Sequence, residues 1–236
     1  MDFTNCGHRG AMSVSPENTM ASFRLAAEQG ANEIELDLRL SKDGEIVVIH
    51  DTTVDRTTDG SGAVADFTAE ELRALDAGNG QSIPTFEEVL DGTDVRLQIE
   101  IKDPAVIEPL VALLAQRPEE IQRLSPCCFD EEIVAILARE LPSTVVGLIS
   151  KTGSPELLDR ADQLGAQRVL VGWTGTDREL ARAAQERGLH FNVWPVNTAG
   201  QLNDAVELGV DGFTTDHPPL LFENGYEIRD GRLVRP

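Results

Sequence analysis

Glu33-Ile34-Glu35-Leu36-Asp37-Leu38 alternates acidic and aliphatic side chains without a break. Successive side chains of a strand point to opposite faces, so the carboxylates share one face and Ile34, Leu36 and Leu38 share the other. In a parallel barrel the apolar face packs against helices, which turns the acidic face inward. Leu97-Gln98-Ile99-Glu100-Ile101-Lys102 repeats the arrangement on the next barrel strand, with Glu100 and Lys102 on the inner side. Glu35, Asp37 and Glu100 then reach the same barrel mouth.

Outward from these two segments, strand-like and helix-like runs alternate along the whole chain. The strand candidates are 3–8, 33–40, 95–102, 125–129, 144–150, 168–173, 189–196 and 212–216. Helical periodicity marks 19–29, 105–116, 131–140, 155–164, 177–187 and 199–208, and Gly30, Gly165, Gly188 and Gly209 stand where a left-handed cap stops a helix. Eight strands in this rhythm predict a (β/α)8 TIM barrel, with a doubly wound open sheet as the alternative. A length of 236 residues suits one such barrel, so 1–236 reads as one domain. The rhythm breaks after the second strand. Residues 45–50 form a short extended piece that can pair with 36–40, and 51–84 read as a small insertion over the mouth, with a short helix at 69–75 and too few apolar residues for its own core. The tail 226–236 reads as an extended piece closing one end.

The net charge of −21 sets the surface against nucleic acid and anionic lipid, so neither is expected as a partner. No stretch approaches the roughly 20 apolar residues of a membrane span, and the N-terminus lacks the regions of a signal peptide. A cytoplasmic protein without a membrane anchor is expected. Cys6, Cys127 and Cys128 have no scaffold spacing, and adjacent Cys127 and Cys128 should face opposite sides of a strand.

The chemistry-bearing residues follow strand-like runs. His8-Arg9-Gly10, Pro16-Glu17-Asn18-Thr19 and His50-Asp51 bring together two imidazoles, a guanidinium and a carboxylate. Imidazole exchanges protons near neutral pH, and guanidinium matches two phosphate oxygens, so the set points to acid–base chemistry on a phosphate ester. Glu35, Asp37 and Glu100, without cysteine or convergent histidine, favour a hard divalent cation, Mg²⁺ or Ca²⁺, over zinc. Glu17 and Asn18 either bond to this shell or cap the following helix, with capping the reading for Asn18. Asp51 orients an imidazole or holds its loop. His190 and His217 read as structural.

These residues resemble the glycerophosphodiester phosphodiesterases. The resemblance runs through the motifs above and through Asp55-Arg56-Thr57-Thr58-Asp59-Gly60, Ile83-Pro84-Thr85, Trp194-Pro195-Val196-Asn197, Gly209-Val210-Asp211-Gly212 and Thr215-Asp216-His217-Pro218. It covers nearly the whole chain and implies a (β/α)8 barrel with an insertion after the second strand. The implied reaction is metal-dependent hydrolysis of small glycerophosphodiesters to sn-glycerol 3-phosphate and an alcohol. The resemblance makes His8 and His50 the acid–base pair and Glu35, Asp37 and Glu100 the metal ligands. Arg9 and Lys102 become phosphate contacts. Trp194 borders the glycerol or leaving-group side, or belongs to the core. In the first step His8 is read as base and His50 as acid, although the sequence leaves the direction open. Cys127-Cys128-Phe129 departs from the family, which usually has small hydroxyl residues before the Phe. Lysophospholipase D-type or inositol phosphodiesterase activity, and a non-catalytic phosphodiester-binding barrel, are the alternatives.

Overall fold

The computed structural model describes residues 2–235; Met1 and Pro236, which end stretches read above, lie outside them. In chain order the elements are β1 (Thr4–Gly7), α1 (Met20–Glu28), β2 (Glu33–Leu40), β3 (Ile46–Val48), α2 (Ala69–Arg73), α3 (Phe86–Gly92) and β4 (Arg96–Ile101). There follow α4 (Ile107–Gln116), β5 (Leu124–Cys128), α5 (Glu131–Glu140), β6 (Gly147–Thr152), α6 (Pro155–Leu164), β7 (Arg168–Thr174) and α7 (Arg178–Glu186). The chain ends with β8 (His190–Val193), α8 (Ala199–Leu208), β9 (Gly212–Thr215), α9 (Leu220–Glu223), β10 (Glu227–Arg229) and β11 (Arg232–Val234).

Eight parallel strands close on themselves, because β1 pairs with both β2 and β9, and β3 is an antiparallel appendage on β2. This is the TIM barrel rather than the open sheet. Ile34, Leu36 and Leu38 are buried against the helices, while Glu33, Glu35 and Asp37 are buried on the inner side. The helices begin where side-chain oxygens satisfy free N–H groups: Thr19, Asp130, Ser154, Asp177 and Thr198 each cap one. Gly165 and Gly209 end α6 and α8 in the left-handed conformation. Helix α3 lies outside the helical stretches read from the sequence. Its signal is the capping box of Thr85 and Glu88, whose side chains satisfy each other's backbone N–H groups.

Residues 51–84 fold onto β3 around Val54, Val64, Leu72, Ala77 and Ile83, together with Val47 and Ile49 of the β3 segment. This cluster is separate from the main core, a small correction to the expectation that the segment has too few apolar residues for one. It is completed only by residues of the β3 segment. At the opposite end of the chain β10 and β11 form a hairpin, and Phe3 N–H donates to Gly231 O at 2.8 Å. No helix among the described residues is long and apolar enough to cross a membrane.

Candidate active site

The register of β2 and β4 sets Asp37 beside Glu100 and Glu35 beside Gln98. Strand β3 runs back along β2, so Ile49 N–H donates to Asp37 O at 3.0 Å and His50 arrives near the carboxylates. His8 and Arg9 follow β1. Their loop folds tightly onto α1: a Cβ at Gly10, whose φ is +89°, would lie 2.4 Å from Ser22 Oγ. Arg9 itself sits at φ 49° and Asn18 at φ 56°. Left-handed geometry at two non-glycine residues of one short loop is the kind of strain that a functional site retains.

His8, Arg9, Glu35, His50, Glu100, Lys102 and Trp194 all line one cavity of about 170 Å³. Asp37 lies behind it, its side chain only 1% exposed. Ligand oxygens of Glu35, Asp37 and Glu100 fall within 4.8 Å of one another, so these three carboxylates could hold a metal ion. Burial, followed by the charge of Asp37, pushes the Glu35 carboxyl up to about 8. Burial also raises Glu100, against the pull of Lys102. Asp37 Oδ2 accepts from Asn18 Nδ2 at 2.8 Å, while its buried Oδ1 contacts Lys102 Nζ at 3.3 Å without a hydrogen bond. An orphaned buried oxygen beside a carboxyl held near neutrality fits an oxygen-coordinated cation.

Each histidine is tied through Nδ1 to an aspartate: His8 to Asp216 Oδ1 at 2.7 Å, and His50 to Asp51 Oδ1 at 2.6 Å. Asp216 is lowered, since burial, which would raise it, is outweighed by the hydrogen bonds of His8 and Asn197 together with the charges of His8 and Arg9, and Asp51 is lowered chiefly by Arg56. Both aspartates are therefore acceptors, which assigns the Nδ1 proton to each ring and leaves each Nε2 for other work. Burial opposes charging His8, but its bond to Asp216 and the Glu35 charge prevail and raise its pKa. Its Nε2 stands 3.9 Å from Glu35 Oε2. Asn197 braces Asp216 from the other side, its Nδ2 donating to Oδ2 at 2.7 Å.

Of the residues whose role the sequence left open, Asp51 orients His50. Thr19 caps α1, whereas Asn18 bonds to Asp37, which corrects the capping reading for Asn18. Lys102 donates to Glu100 Oε1 at 2.6 Å. Trp194 faces the cavity, packs edge-on against Phe129 with centroids 5.9 Å apart, and donates to Leu170 O at 3.0 Å. Cys127 faces the barrel interior and Cys128 the helical layer, as their adjacency predicts. His190 and His217 are bound away from the cavity, His190 to Asn192 and His217 to Glu223. Sequence reasoning gave no role to Asp216, Asn197 or Arg56. For Asp216 a signal was present: a carboxylate at the C-terminal end of a barrel strand stands where TIM barrels carry catalysis.

The family model for the glycerophosphoryl diester phosphodiesterase family matches residues 8–220. The chain is similar to a glycerophosphodiester phosphodiesterase of Caldanaerobacter subterraneus subsp. tengcongensis, at 35% identity over 91% of this chain and 94% of that protein. An Oleispira antarctica phosphodiesterase, solved in complex with the product sn-glycerol-3-phosphate, superposes with a TM-score of 0.86 at 25% identity, over 93% of this chain and 95% of that one. A Thermotoga maritima glycerophosphodiester phosphodiesterase gives 0.81 at 27% identity, over 94% and 99% of the two chains.

Proposed function

The chain belongs to the glycerophosphoryl diester phosphodiesterase family and is a phosphoric diester hydrolase, and on that premise we propose how its own residues carry the reaction. The substrate is a small glycerophosphodiester, cleaved to sn-glycerol 3-phosphate and an alcohol. The product bound by the Oleispira antarctica relative supports this choice. Residues 1–236 act as one catalytic domain, with 51–84 as an annex at the mouth.

The observation that carries the reading is the pair of histidines on one cavity, each with Nδ1 committed to an aspartate at 2.7 or 2.6 Å. One Nε2 accepts the proton of the attacking hydroxyl, from water or from the glycerol, and the other donates to the departing alkoxide. Arg9 and Lys102 line the same cavity and offset charge on the non-bridging phosphate oxygens. Glu35, Asp37 and Glu100 would hold Mg²⁺ or Ca²⁺, which supplies Lewis-acid stabilisation of the phosphoryl charge. Lys102 Nζ lies 2.6 Å from Glu100 Oε1 and 3.3 Å from Asp37 Oδ1, so it borders the same carboxylates. Trp194 and Phe129 form the apolar wall, suited to the carbon skeleton of the glycerol or of the leaving alcohol.

Turnover of glycerophosphocholine and glycerophosphoethanolamine tests the whole scheme. Chelation should abolish it, and Mg²⁺ or Ca²⁺ should restore it. His8→Ala and His50→Ala should each lower turnover by at least about a hundredfold while the fold and metal binding persist. Full activity after verified metal removal would overturn the metal assignment. Near wild-type turnover in folded His50→Ala would remove that ring from the reaction.

A further inference from the structure

Arg56 belongs to the Asp55-Arg56-Thr57-Thr58 motif, and the chemistry above makes no use of it. Its position is fixed by the annex. Val54 is fully buried, Val54 N–H donates to Gly62 O at 3.0 Å, and Thr58 N–H donates to Val54 O at 3.1 Å. From that base the side chain extends over the mouth, 48% exposed. Its guanidinium reaches two carboxylates at once. Nε and Nη2 donate to the two oxygens of Asp51 at 2.6 and 3.1 Å, and Nη1 and Nη2 donate to the two oxygens of Glu17 at 2.7 and 2.9 Å.

Each of those carboxylates also holds a group proposed above for the reaction. Asp51 Oδ1 accepts from His50 Nδ1, and Glu17 Oε1 accepts from Arg9 Nη1 at 2.7 Å. The result is an unbroken chain, Arg9–Glu17–Arg56–Asp51–His50, joining the phosphate cation to one proton-transfer group. Among the described residues, Asp51 Oδ2 and Glu17 Oε2 each accept a hydrogen bond from Arg56 alone. Removing it frees both carboxylates to rotate and leaves two like charges facing each other. Exposed ion pairs contribute little to stability, so the worth of this double fork lies in geometry.

We infer that Arg56 is a positioning residue, which fixes His50 through Asp51 and Arg9 through Glu17 and so ties the two sides of the site into one rigid arrangement. It touches no substrate. A planar fork can satisfy two carboxylates in this way, whereas a lysine ammonium offers only a point charge. The inference rests on the histidine catalysis proposed above and adds the device that sets its geometry.

The test is steady-state kinetics of the metal-loaded enzyme on glycerophosphocholine. Arg56→Gln and Arg56→Lys should each lower kcat by about tenfold or more, the scale of lost outer partners, with the larger share of the effect in kcat rather than KM and the unfolding midpoint nearly unchanged. Asp51→Asn should cause a loss of similar size. Because Arg56 acts through Asp51, the double variant Arg56→Gln/Asp51→Asn should be little worse than the worse single variant. Arg56→Ala should regain turnover when guanidinium is added at concentrations well below those that denature. Wild-type kcat in either folded variant overturns the inference, as does a pure rise in KM, which would make Arg56 a substrate contact. Losses that multiply in the double variant overturn it too. If Arg56→Gln fails to fold, Arg56→Lys decides by the same criteria. An inactive His50→Ala beside a fully active Arg56→Gln sinks this inference alone, whereas an active His50→Ala sinks the catalytic reading beneath it.

Discussion

Glu33 and Glu35 stand two residues apart on one strand, both face the barrel interior, and both are buried, yet they are shifted in opposite directions. At the bottom of the barrel Arg168 reaches across and donates Nη1 and Nη2 to the two Glu33 oxygens at 2.9 and 2.6 Å. The rest of its guanidinium is taken up by Asn192, Thr4 and Ser125. Burial would raise Glu33, but the charge and hydrogen bonds of Arg168, with smaller help from Arg96 and His190, together override it and the carboxyl ends lowered. At the mouth Glu35 accepts from the Arg9 backbone N–H at 2.9 Å and shares its surroundings with Asp37 and Glu100. The bottom has solved its electrostatics with protein groups, as a structural end should. The mouth has too little positive charge of its own, and that shortfall is what a bound cation and a phosphate chemistry require.

The bottom should therefore break by unfolding. Arg168→Leu strands Glu33 as an uncompensated buried charge and should cost about 3–5 kcal/mol, read by urea denaturation. Molecules that remain folded should keep near wild-type kcat. Replacing both partners with apolar residues of similar volume should recover much of the loss, since a buried pair is dispensable once both charges are gone. A stable Arg168→Leu protein would show that Glu33 is solvated or protonated, and the contrast between the two ends would collapse.

The mouth should break by pH in the metal-free protein. A carboxyl raised from 4.5 to about 8 in the folded state is still protonated there when the unfolded chain has already ionised. Between those values the folded state binds more protons, so stability is greatest below about 4.5 and falls as pH rises towards 8. Glu100 shares in the shift, so a loss of about 2–3 kcal/mol is expected over that window rather than the full conversion. His8, also raised, adds a decline in the upper part of the same range. The difference between wild type and Glu35→Gln isolates the carboxyl: the variant should lose most of the slope, and saturating Mg²⁺ or Ca²⁺ should flatten it in wild type. Superimposable stability–pH curves for the two proteins would place the proton elsewhere.

The two ends also differ in how much of them the sequence discloses. Alternation in 33–38 and 97–102 exposed the inner carboxylates, because a period of two is a local property of the chain. His8 and His50 were legible because each closes an apolar run inside a dense polar motif. What stayed hidden were partnerships created by closure of the ring. Arg168 meets Glu33 across 135 residues, and His8 meets Asp216 across 208, since β1 lies beside β9 only after the barrel has shut. No periodicity connects such positions. Arg56 was hidden for a different reason: its motif was visible, but its two acceptors are set by the path of the annex.

The finest test of the contrast is Asp216→Asn, a carboxylate exchange at the mouth that should cost turnover with little loss of stability. Asp216 has two oxygens and two donors to satisfy, His8 Nδ1 on one side and Asn197 Nδ2 on the other. An asparagine offers one oxygen and one amide nitrogen. If the oxygen stays with His8, the Asn197 amide meets another donor; if it turns to Asn197, the His8 ring must move its proton to Nε2, the wrong tautomer for accepting a proton there. The first outcome loosens the brace behind His8 and the second reverses its tautomer, while both leave the carboxylate cluster and the cavity in place. Turnover should fall by about tenfold, which is about 1.4 kcal/mol and the smallest of the effects argued here. The pH profile adds a sign. The bond to Asp216 and its charge both raise His8, so their loss should move the limb that follows His8 to lower pH. A variant with reduced turnover and an unmoved limb would mean that Asp216 only braces the end of β9. One with wild-type turnover would leave His8 oriented by its own loop.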